Sequence, residues 1–402
     1  MNSVGIDVSK GKSMIAIMRP FGEIVVSPFE VNHTSDELSK LVKIIMDLDG
    51  ETRVIMEYTG RYYEPIAQIL YDAGIFVSVV NAILIHDYGD NSIRRVKTDK
   101  KDAIKIANYG LDRWVNLVQF VPEDDIRRLL KIYNRQYDKY VKTKTMLSNN
   151  FIALLDKSFP GVNTLFRSPP RKTDGRIKWV DFASKFWHCE CVCDLSEKMF
   201  KNRYSRWCNK HGYRYSDSKA SEIYIEACGH VDTLPKNEST RILIQQTAIQ
   251  ISAVTHTLAI LRDEMNHLAS QLPEYPVVMA MHGVGEVLGP QLMAEIGDVR
   301  RFTGKTALVA YAGIDAPPFQ SGKFESHNRK ISKRGSPLLR KALFLVMSCL
   351  MQQACPTDPV YLYLDKKRSE GKHFYVYMMA GSNKFLRIYY ARVKEHLDGL
   401  TA

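Results

Sequence analysis

Val4-Gly5-Ile6-Asp7-Val8, near the start of the chain, is the stretch that decides the fold of the N-terminal part. Its apolar residues alternate with a glycine and an aspartate, which predicts a β-strand with one apolar face. The ranges 13–18 and 23–26 predict two further strands in the same way. The chain is therefore expected to open as a short three-stranded meander.

Helices and strands alternate after the meander. We predict a helix from Ser35 to Gly50, a strand at 53–58, a helix at 60–73, a strand at 76–80 and a helix that starts near Lys97. The order β-β-β-α-β-α-β-α is that of a ribonuclease H-like domain, a mixed sheet flanked by helices. We expect this α/β domain to occupy residues 1–118.

The composition indicates a globular protein with a polyanionic partner. The 402 residues carry 56 basic and 44 acidic side chains, a formal charge of +12. No apolar run approaches the ~18 residues that a membrane span requires. Because the first residues already form the predicted strand, no signal peptide is expected. We therefore expect a protein of the cytoplasm, associated with the nucleoid, that binds nucleic acid and no membrane.

Two long amphipathic helices are predicted in the middle of the chain. Apolar residues recur at spacings of three and four within 119–158 and again within 237–272. These helices are expected to form an antiparallel arm or to pair between chains, as a homodimer or homotetramer. The segment 159–236 between them shows no motif, and 273–402 is predicted to be a compact helical domain.

Seven cysteines are present, and four of them lie close together in the sequence, at 189, 191, 193 and 208. Their spacing lacks the paired C-x₂-C units of structural zinc sites. We therefore predict free thiols in a reducing compartment and assign no metal to them.

Four carboxylates are candidates for a metal site. Asp99 and Asp102 stand three residues apart at the start of a predicted helix and share one face. Taken alone, this pair is typical of an ordinary helix start. Asp7 and Glu57 come from the first and fourth strands, which are neighbours in a ribonuclease H-like sheet. Four converging carboxylates repel one another unless cations neutralise them, so we predict Mg²⁺ as the cofactor.

Basic residues and glycines near these motifs are candidates for nucleic-acid binding. Lys97, Lys100 and Lys101 flank the acidic pair. The predicted nucleic-acid contacts outside that pair are Arg127, Arg128, Lys323, Arg329, Lys333, Arg334 and Arg340. A solvated surface is nearly as good an explanation for the arginines of the long helix. Gly283 and Gly285 precede a predicted helix whose N–H groups would hold a phosphate, with a glycine-rich helical corner as the equal alternative.

Several motifs resemble those of one known family. They are Gly5-Ile6-Asp7-Val8-Ser9-Lys10, Met56-Glu57-Tyr58-Thr59-Gly60, Lys97-Thr98-Asp99-Lys100-Lys101-Asp102-Ala103, Gly283-Val284-Gly285, Ala294-Glu295-Ile296-Gly297-Asp298, Tyr311-Ala312-Gly313 and Ile331-Ser332-Lys333-Arg334-Gly335. In this order they resemble the DEDD transposases of the insertion sequence one-ten family, which are bridge-RNA-guided DNA recombinases with a RuvC-like domain and a C-terminal transposase domain.

The resemblance implies a covalent mechanism. A serine of the C-terminal domain would attack a DNA phosphate, while Asp7, Glu57, Asp99 and Asp102 hold Mg²⁺. By position Ser321 matches that serine, and its glycine neighbour and basic surroundings suit close approach to a phosphodiester. The implied partners are donor DNA, target DNA and a structured non-coding guide RNA. Ser336, which precedes Pro337, fits a helix N-cap better.

Three other functions are weighed against this one. A RuvC-type metal-dependent, structure-specific DNA nuclease would use the same carboxylates but would not need Ser321. An actin-like kinase or ATPase also begins with Gly-x-Asp-x-Ser-x-Gly-Lys, but no second phosphate loop follows. A non-catalytic RNA-binding protein would explain the charge but not Asp7 and Glu57.

Overall fold

The structure is a computed structural model that describes residues 1–58, 60–88, 98–171, 173–317, 320–321, 324–325 and 329–401. For 320–321, 324–325 and 401 only the backbone is described. The chain forms two compact units, Met1–Glu123 and Asp124–Ala402, called here the N-terminal unit and the C-terminal unit.

A five-stranded mixed sheet forms the centre of the N-terminal unit. The strands are β1 (Asn2–Val8), β2 (Lys12–Arg19), β3 (Glu23–Asn32), β4 (Thr52–Glu57) and β5 (Phe76–Val80). Their order across the sheet is β3-β2-β1-β4-β5. The first three strands are antiparallel, whereas β4 and β5 run parallel to β1. This topology confirms the predicted ribonuclease H-like fold.

Four helices accompany the sheet: α1 (Ser35–Met46), α2 (Glu64–Asp72), α3 (Ala82–Asp87) and α4 (Asp99–Asp112). The short α3 was not predicted, and β3 continues beyond the predicted strand to Asn32. One apolar core joins the sheet to α1 and α2, with Val4, Ile6, Leu41 and Ile66 among its fully buried members.

Helix α4 packs on the same sheet through small residues. A Cβ atom on Gly5 would lie 2.2 Å from the carbonyl oxygen of Ala103, so only glycine lets the helix lie this close to β1. Gly110 makes a similar close approach to Ser3 and Ile55. The Ser3 hydroxyl donates a hydrogen bond to the Ala107 carbonyl oxygen at 2.7 Å. These contacts fix both the position and the direction of α4 across the strand.

Two long helices organise the C-terminal unit, as predicted. They are α5 (Asp125–Leu155) and α10 (Glu238–Ser270). The end of α5 and the start of α10 share one core, which contains Phe151 and Ile244. The start of α5 and the end of α10 share another, which contains Leu130 and Met265. The two helices therefore run antiparallel within one chain, which is one of the two predicted arrangements.

The segment between the long helices, which showed no motif, forms a small helical module. Its helices are α6 (Lys178–Lys185), α7 (Glu190–Cys193), α8 (Glu197–His211) and α9 (Asp217–Gly229). Aromatic rings fill its core: Phe182 stacks on Phe186 with ring centroids 4.7 Å apart, and Tyr204 stacks on Trp207. The helices are short, so their apolar residues show no sustained period in the sequence. All seven cysteines are free thiols.

The rest of the C-terminal unit is mainly helical. Its elements are α11 (Tyr275–Met279), α12 (Leu288–Ile296), α13 (Lys305–Ala312), β6 (Gln320–Ser321), β7 (Phe324–Glu325), α14 (Pro337–Gln353), α15 (Pro359–Ser369) and α16 (Phe374–Thr401). Leu292, Leu343 and Leu386 are completely buried in their common core. Within the described ranges, no helix is both long enough and apolar enough to cross a membrane.

Candidate active site

The parallel pairing of β1 with β4 places Asp7 beside Glu57. The last paired residues of the two strands are Ile6 and Met56, and Asp7 and Glu57 follow them in the same register. Adjacent strands lie about 4.8 Å apart, and residues at one register point to the same side of a parallel pair. Both carboxylates are therefore on one face, at the ends of neighbouring strands, and both are half-buried.

Helix α4 covers this same face. Gly5 and Asp7 are two residues apart on β1 and so share a face, and Gly5 lies under Ala103. Ser3 bonds to Ala107, so the helix runs antiparallel to the strand. Two strand residues advance about 6.6 Å and four helical residues about 6 Å. Moving two residues along β1, from Gly5 to Asp7, therefore corresponds to moving about four residues back along α4 from Ala103. This places Asp7 beside the first turn of α4.

The first turn of α4 contains the two remaining carboxylates. Thr98 is the N-cap, because its hydroxyl accepts the backbone N–H of Lys101 at 3.3 Å. Asp99 and Asp102 are thus not needed as caps. Asp99 is exposed and Asp102 half-buried. All four predicted carboxylates lie at one end of one face of the sheet.

An ion pair between β2 and β3 lies next to the turn that follows β1. Lys12 pairs with Glu30 at 2.7 Å. This hydrogen bond and the Glu30 charge raise the pKa of the Lys12 ammonium, and the charge of Asp99 raises it slightly further.

The carboxylates fit a hard divalent cation by their chemistry. Mg²⁺ takes oxygen ligands and keeps open positions for water or phosphate. In the part of the chain that the structure describes, however, Asp7, Glu57, Asp99 and Asp102 do not bring three ligand oxygens within 4.8 Å of one another. The four carboxylates therefore lie at the same end of the sheet but do not surround one point closely.

The predicted nucleic-acid contacts beside α4 and on α5 differ in exposure. Lys100 and Lys101 are exposed on the first turn of α4, and Lys97 lies outside the described residues. Arg128 is exposed and pairs with Asp125. Arg127 differs, as its side chain is only 11% exposed.

Arg127 has a structural partner. Its guanidinium donates to both carboxylate oxygens of the buried Glu274, at 2.5 and 2.6 Å, and to Asp124. This pairing turns the guanidinium inward. It explains Arg127 as a structural residue and leaves Arg128 as the exposed cation of this turn.

The candidate nucleophile lies in a short hairpin. Ser321 is the last residue of β6 and pairs with Phe324 of β7. Lys323 lies outside the described residues, as do Gly322 and 326–328. Arg329, Lys333 and Arg334 follow the hairpin and are exposed.

Arg340 supports the loop that follows the hairpin. Its Nη1 donates to the carbonyl oxygens of Ala312 and Gly335, at 3.0 and 3.3 Å. One nitrogen of the guanidinium is therefore engaged with backbone. Lys333 has a positive φ of 54°, which marks a tightly shaped turn at this loop.

Ser336 caps α14, as predicted. Its hydroxyl oxygen accepts the N–H of Leu339 at 3.1 Å and donates to Glu295 Oε2 at 2.7 Å. Glu295 is only 3% exposed, and Asn134 Nδ2 donates to its other oxygen at 2.9 Å. This buried carboxylate was not recognised as important from the sequence, although an acid inside the apolar stretch of α12 was a usable signal.

Gly283 and Gly285, the two glycines before α12, lie in different environments. The N–H of Gly283 donates to Gln353 Oε1 at 3.2 Å, and a Cβ there would lie 2.7 Å from Leu350. Gly283 therefore fits the glycine-rich helical corner, the equal alternative to the phosphate contact. Gly285 is exposed with open space around it.

Comparison with known proteins agrees with the motifs. Residues 4–160 match the family of DEDD transposases of IS110, and residues 275–361 match the transposases of the IS116/IS110/IS902 family. Together the two matches cover more than half of the chain.

Individual relatives and one solved structure are also similar to this chain. The pilin gene-inverting protein of Moraxella bovis is 24% identical over 344 residues, 85% of this chain and 80% of the relative. The insertion element IS116 uncharacterized 44.8 kDa protein of Streptomyces clavuligerus is 23% identical over 371 residues, 92% of this chain and 88% of the relative. Thermus thermophilus RuvC aligns with 28% of this chain and 95% of its own, at 12% identity and a TM-score of 0.23. With both of its matched segments drawn from one family of transposases, this chain belongs to the IS110 family.

Proposed function

We propose that this transposase cuts and rejoins DNA strands through a covalent phosphoserine intermediate, with Ser321 as the nucleophile and Mg²⁺ at Asp7, Glu57, Asp99 and Asp102. The observation that carries the proposal is the placement of these four carboxylates at one end of one face of the sheet. The membership of the family supports a DNA substrate.

The chemistry divides into two exchanges at phosphorus. The Ser321 oxygen forms a bond to the DNA phosphorus, its proton passes to a base, and the bond to one strand oxygen breaks with protonation of that oxygen. A hydroxyl of the new partner strand then attacks the phosphoserine and releases the serine. The number of ester bonds is unchanged in each exchange, so no nucleotide cofactor is needed.

The carboxylates hold the cation in this scheme. When bound, Mg²⁺ would neutralise the charge that develops on phosphate oxygens and lower the pKa of an attacking hydroxyl. Lys100 and Lys101, exposed beside Asp99 and Asp102, would bind the phosphate backbone. Lys97, Lys323, Arg329, Lys333 and Arg334 are proposed to contact the nucleic acid as well.

A structured non-coding guide RNA and a homodimer or homotetramer complete the proposal. The charge of +12 supports a polyanionic partner. Large apolar side chains are exposed on both long helices, among them Leu129 and Ile132 on α5 and Leu243 and Ile260 on α10. Such side chains support association between copies. Within an oligomer, Ser321 of one copy would act with the carboxylates of another.

A denaturing gel tests the nucleophile. The purified chain with cognate DNA, guide RNA and Mg²⁺ should give a covalent protein–DNA adduct that Ser321→Ala abolishes. Ser326→Ala, in the same stretch of sequence, is the matched control and should keep the adduct. Hydrolytic nicks that survive in Ser321→Ala, without any adduct, would instead identify a RuvC-type metal-dependent nuclease.

A further inference from the structure

His188, Cys189 and Asp232 form a second cluster of ligand-type side chains, in the helical module of the C-terminal unit. One ligand atom from each lies within 4.8 Å of the other two. Cys189 Sγ is 2.9 Å from Asp232 Oδ2 and 3.8 Å from His188 Nδ1. The other ring nitrogen, His188 Nε2, is 3.7 Å from Asp232 Oδ2. We propose that these three residues bind a zinc ion that fixes the fold of this module.

The donor atoms suit zinc in kind and in charge. Zinc in proteins prefers thiolate and imidazole, with carboxylate as a further ligand, in tetrahedral geometry. Neighbouring ligand atoms of such a site stand about 3.5 Å apart, given Zn–S near 2.3 Å and Zn–N near 2.0 Å. One thiolate and one carboxylate also neutralise Zn²⁺, which matters because His188 is 0% and Cys189 3% exposed. Binding would release the thiol proton of Cys189.

The imidazole is already oriented for this task. His188 Nε2 donates to the Leu234 carbonyl oxygen at 2.9 Å, which leaves the lone pair on Nδ1, the nitrogen nearer to Cys189. A metal-bound histidine commonly donates its other N–H to a backbone carbonyl in this way. The Nδ1 lone pair accepts the N–H of Glu190 at a long 3.3 Å, and a zinc ion at Nδ1 would replace this hydrogen bond.

The backbone holds the three ligands in place. The N–H of Cys189 donates to the Ser158 carbonyl oxygen at 2.9 Å. The N–H groups of Thr233 and Leu234, beside Asp232, both donate to the Lys157 carbonyl oxygen at 2.9 Å. The turn after α5, the start of α7 and the segment after α9 therefore meet at this point. A metal ion there would join the start of α7 to the segment after α9, at a point where both already bond to the turn after α5.

Ser158, whose backbone carbonyl accepts the N–H of Cys189, carries an unpartnered polar atom. The Ser158 hydroxyl is completely buried and has no hydrogen-bond partner among the described residues. Buried hydroxyls in proteins are nearly always paired. The ligand spacing explains why the sequence did not reveal the site: His188 and Cys189 are adjacent, and Asp232 follows only after three further helices.

Titration of the full-length chain with Co²⁺ tests the site. After metal removal with a chelator, one equivalent of Co²⁺ should give a thiolate-to-cobalt charge-transfer band and the visible absorption of tetrahedral cobalt, and Zn²⁺ should abolish both. Carboxylates alone give no thiolate band, so binding at Asp7, Glu57, Asp99 and Asp102 does not interfere. Absence of the band in the wild-type protein would overturn the proposal.

Variants locate the ligands. Cys189→Ser should remove the charge-transfer band, whereas Cys191→Ser, whose thiol is outside the cluster, should retain it. Asp232→Asn retains an oxygen that accepts the Cys189 hydrogen bond, so the fold should persist while the zinc affinity falls about 100-fold or more. Zn²⁺ should raise the melting temperature of the wild type and of Cys191→Ser only. A band that survives Cys189→Ser, or that disappears equally in Cys191→Ser, would contradict the assignment.

Discussion

Ser336 donates its hydroxyl hydrogen bond to the buried Glu295 carboxylate while the same oxygen caps α14. Asn134 of α5 bonds the other carboxylate oxygen. One buried acid thus ties α5, α12 and the start of α14 together, directly after the basic loop that follows the Ser321 hairpin.

Glu295→Ala should destabilise the C-terminal unit. The substitution leaves the donors of the buried Asn134 and the half-buried Ser336 without an acceptor, at a cost of about 2 to 4 kcal/mol in the free energy of unfolding. Urea denaturation measures this cost. Glu286→Ala, at an exposed acid before the same helix, should change stability by less than about 0.5 kcal/mol. Equal effects of the two variants would show that the hydrogen bonds contribute little.

Asp102→Asn should abolish strand cleavage and leave RNA binding intact. The amide removes a negative ligand from the proposed Mg²⁺ site, which should lower the cleavage rate about 100-fold or more. Cleavage assays and RNA gel shifts provide the two measurements. The matched control is Asp112→Asn, at the opposite end of α4. Loss of cleavage and RNA binding together would indicate a structural role for Asp102.

Much of the N-terminal unit was predictable from the sequence because local patterns carry it. The alternation around Ile6 specified β1, and the order of strands and helices then selected one topology. The close packing of α4 on β1 gave a weaker signal. The need for glycine at position 5 is evident only when Ala103 of α4 is packed against it. The six-residue α3 is too short for a period to identify.

Long-range partners explain what the sequence did not show. Arg127 looked like one more cation on a basic helix, because its partner Glu274 is 147 residues away. The partners of Gly283 and Arg340, which are Gln353 and the Ala312 carbonyl, likewise cannot be recognised from spacing. The core of the helical module around Phe182 consists of aromatic residues from separate short helices. No local sequence pattern predicts such a core.

Arg127 and Arg128 should behave differently although they are adjacent. Arg127→Ala leaves the buried Glu274 carboxylate without its ion-pair partner and should cost about 3 to 5 kcal/mol in unfolding free energy. Arg128→Ala removes an exposed pair worth at most about 1 kcal/mol, but it should reduce the salt dependence of DNA binding by about one ion. Thermal unfolding and binding at several salt concentrations separate the two effects. A reduced salt slope in Arg127→Ala at unchanged stability would show that its guanidinium does reach the nucleic acid.

The ion pairs of Asp138 should make stability depend on pH. Burial raises the pKa of this carboxyl, but its hydrogen bonds to Lys142 and Lys341, both at 2.8 Å, outweigh burial and the net pKa is lowered. A carboxyl with a lower pKa in the folded state adds stability above its unfolded pKa of about 3.9, and loses it as the pH falls through the folded pKa.

Lys341→Met measures this contribution. The variant should be less stable than the wild type at pH 7 by about 1 kcal/mol, a modest value because both lysines are largely exposed. The difference should shrink as the pH falls below about 4. Urea denaturation between pH 7 and pH 3 provides the test, with Lys366→Met on α15 as the control. A difference that stays constant with pH would mean that Lys341 acts through packing alone.

Gly5→Ala should separate the two halves of the carboxylate site. The new Cβ would lie 2.2 Å from the Ala103 carbonyl oxygen and 2.4 Å from the Ala107 nitrogen, both backbone atoms that cannot turn aside. Helix α4 must move away, which should cost about 1 to 3 kcal/mol and displace Asp99 and Asp102 relative to Asp7. Cleavage should therefore fall even at temperatures where the variant is fully folded. Gly285→Ala, at a glycine with open space around it, is the matched control for stability. Full cleavage activity in folded Gly5→Ala would show that the close approach of α4 to β1 is not what positions the acidic residues.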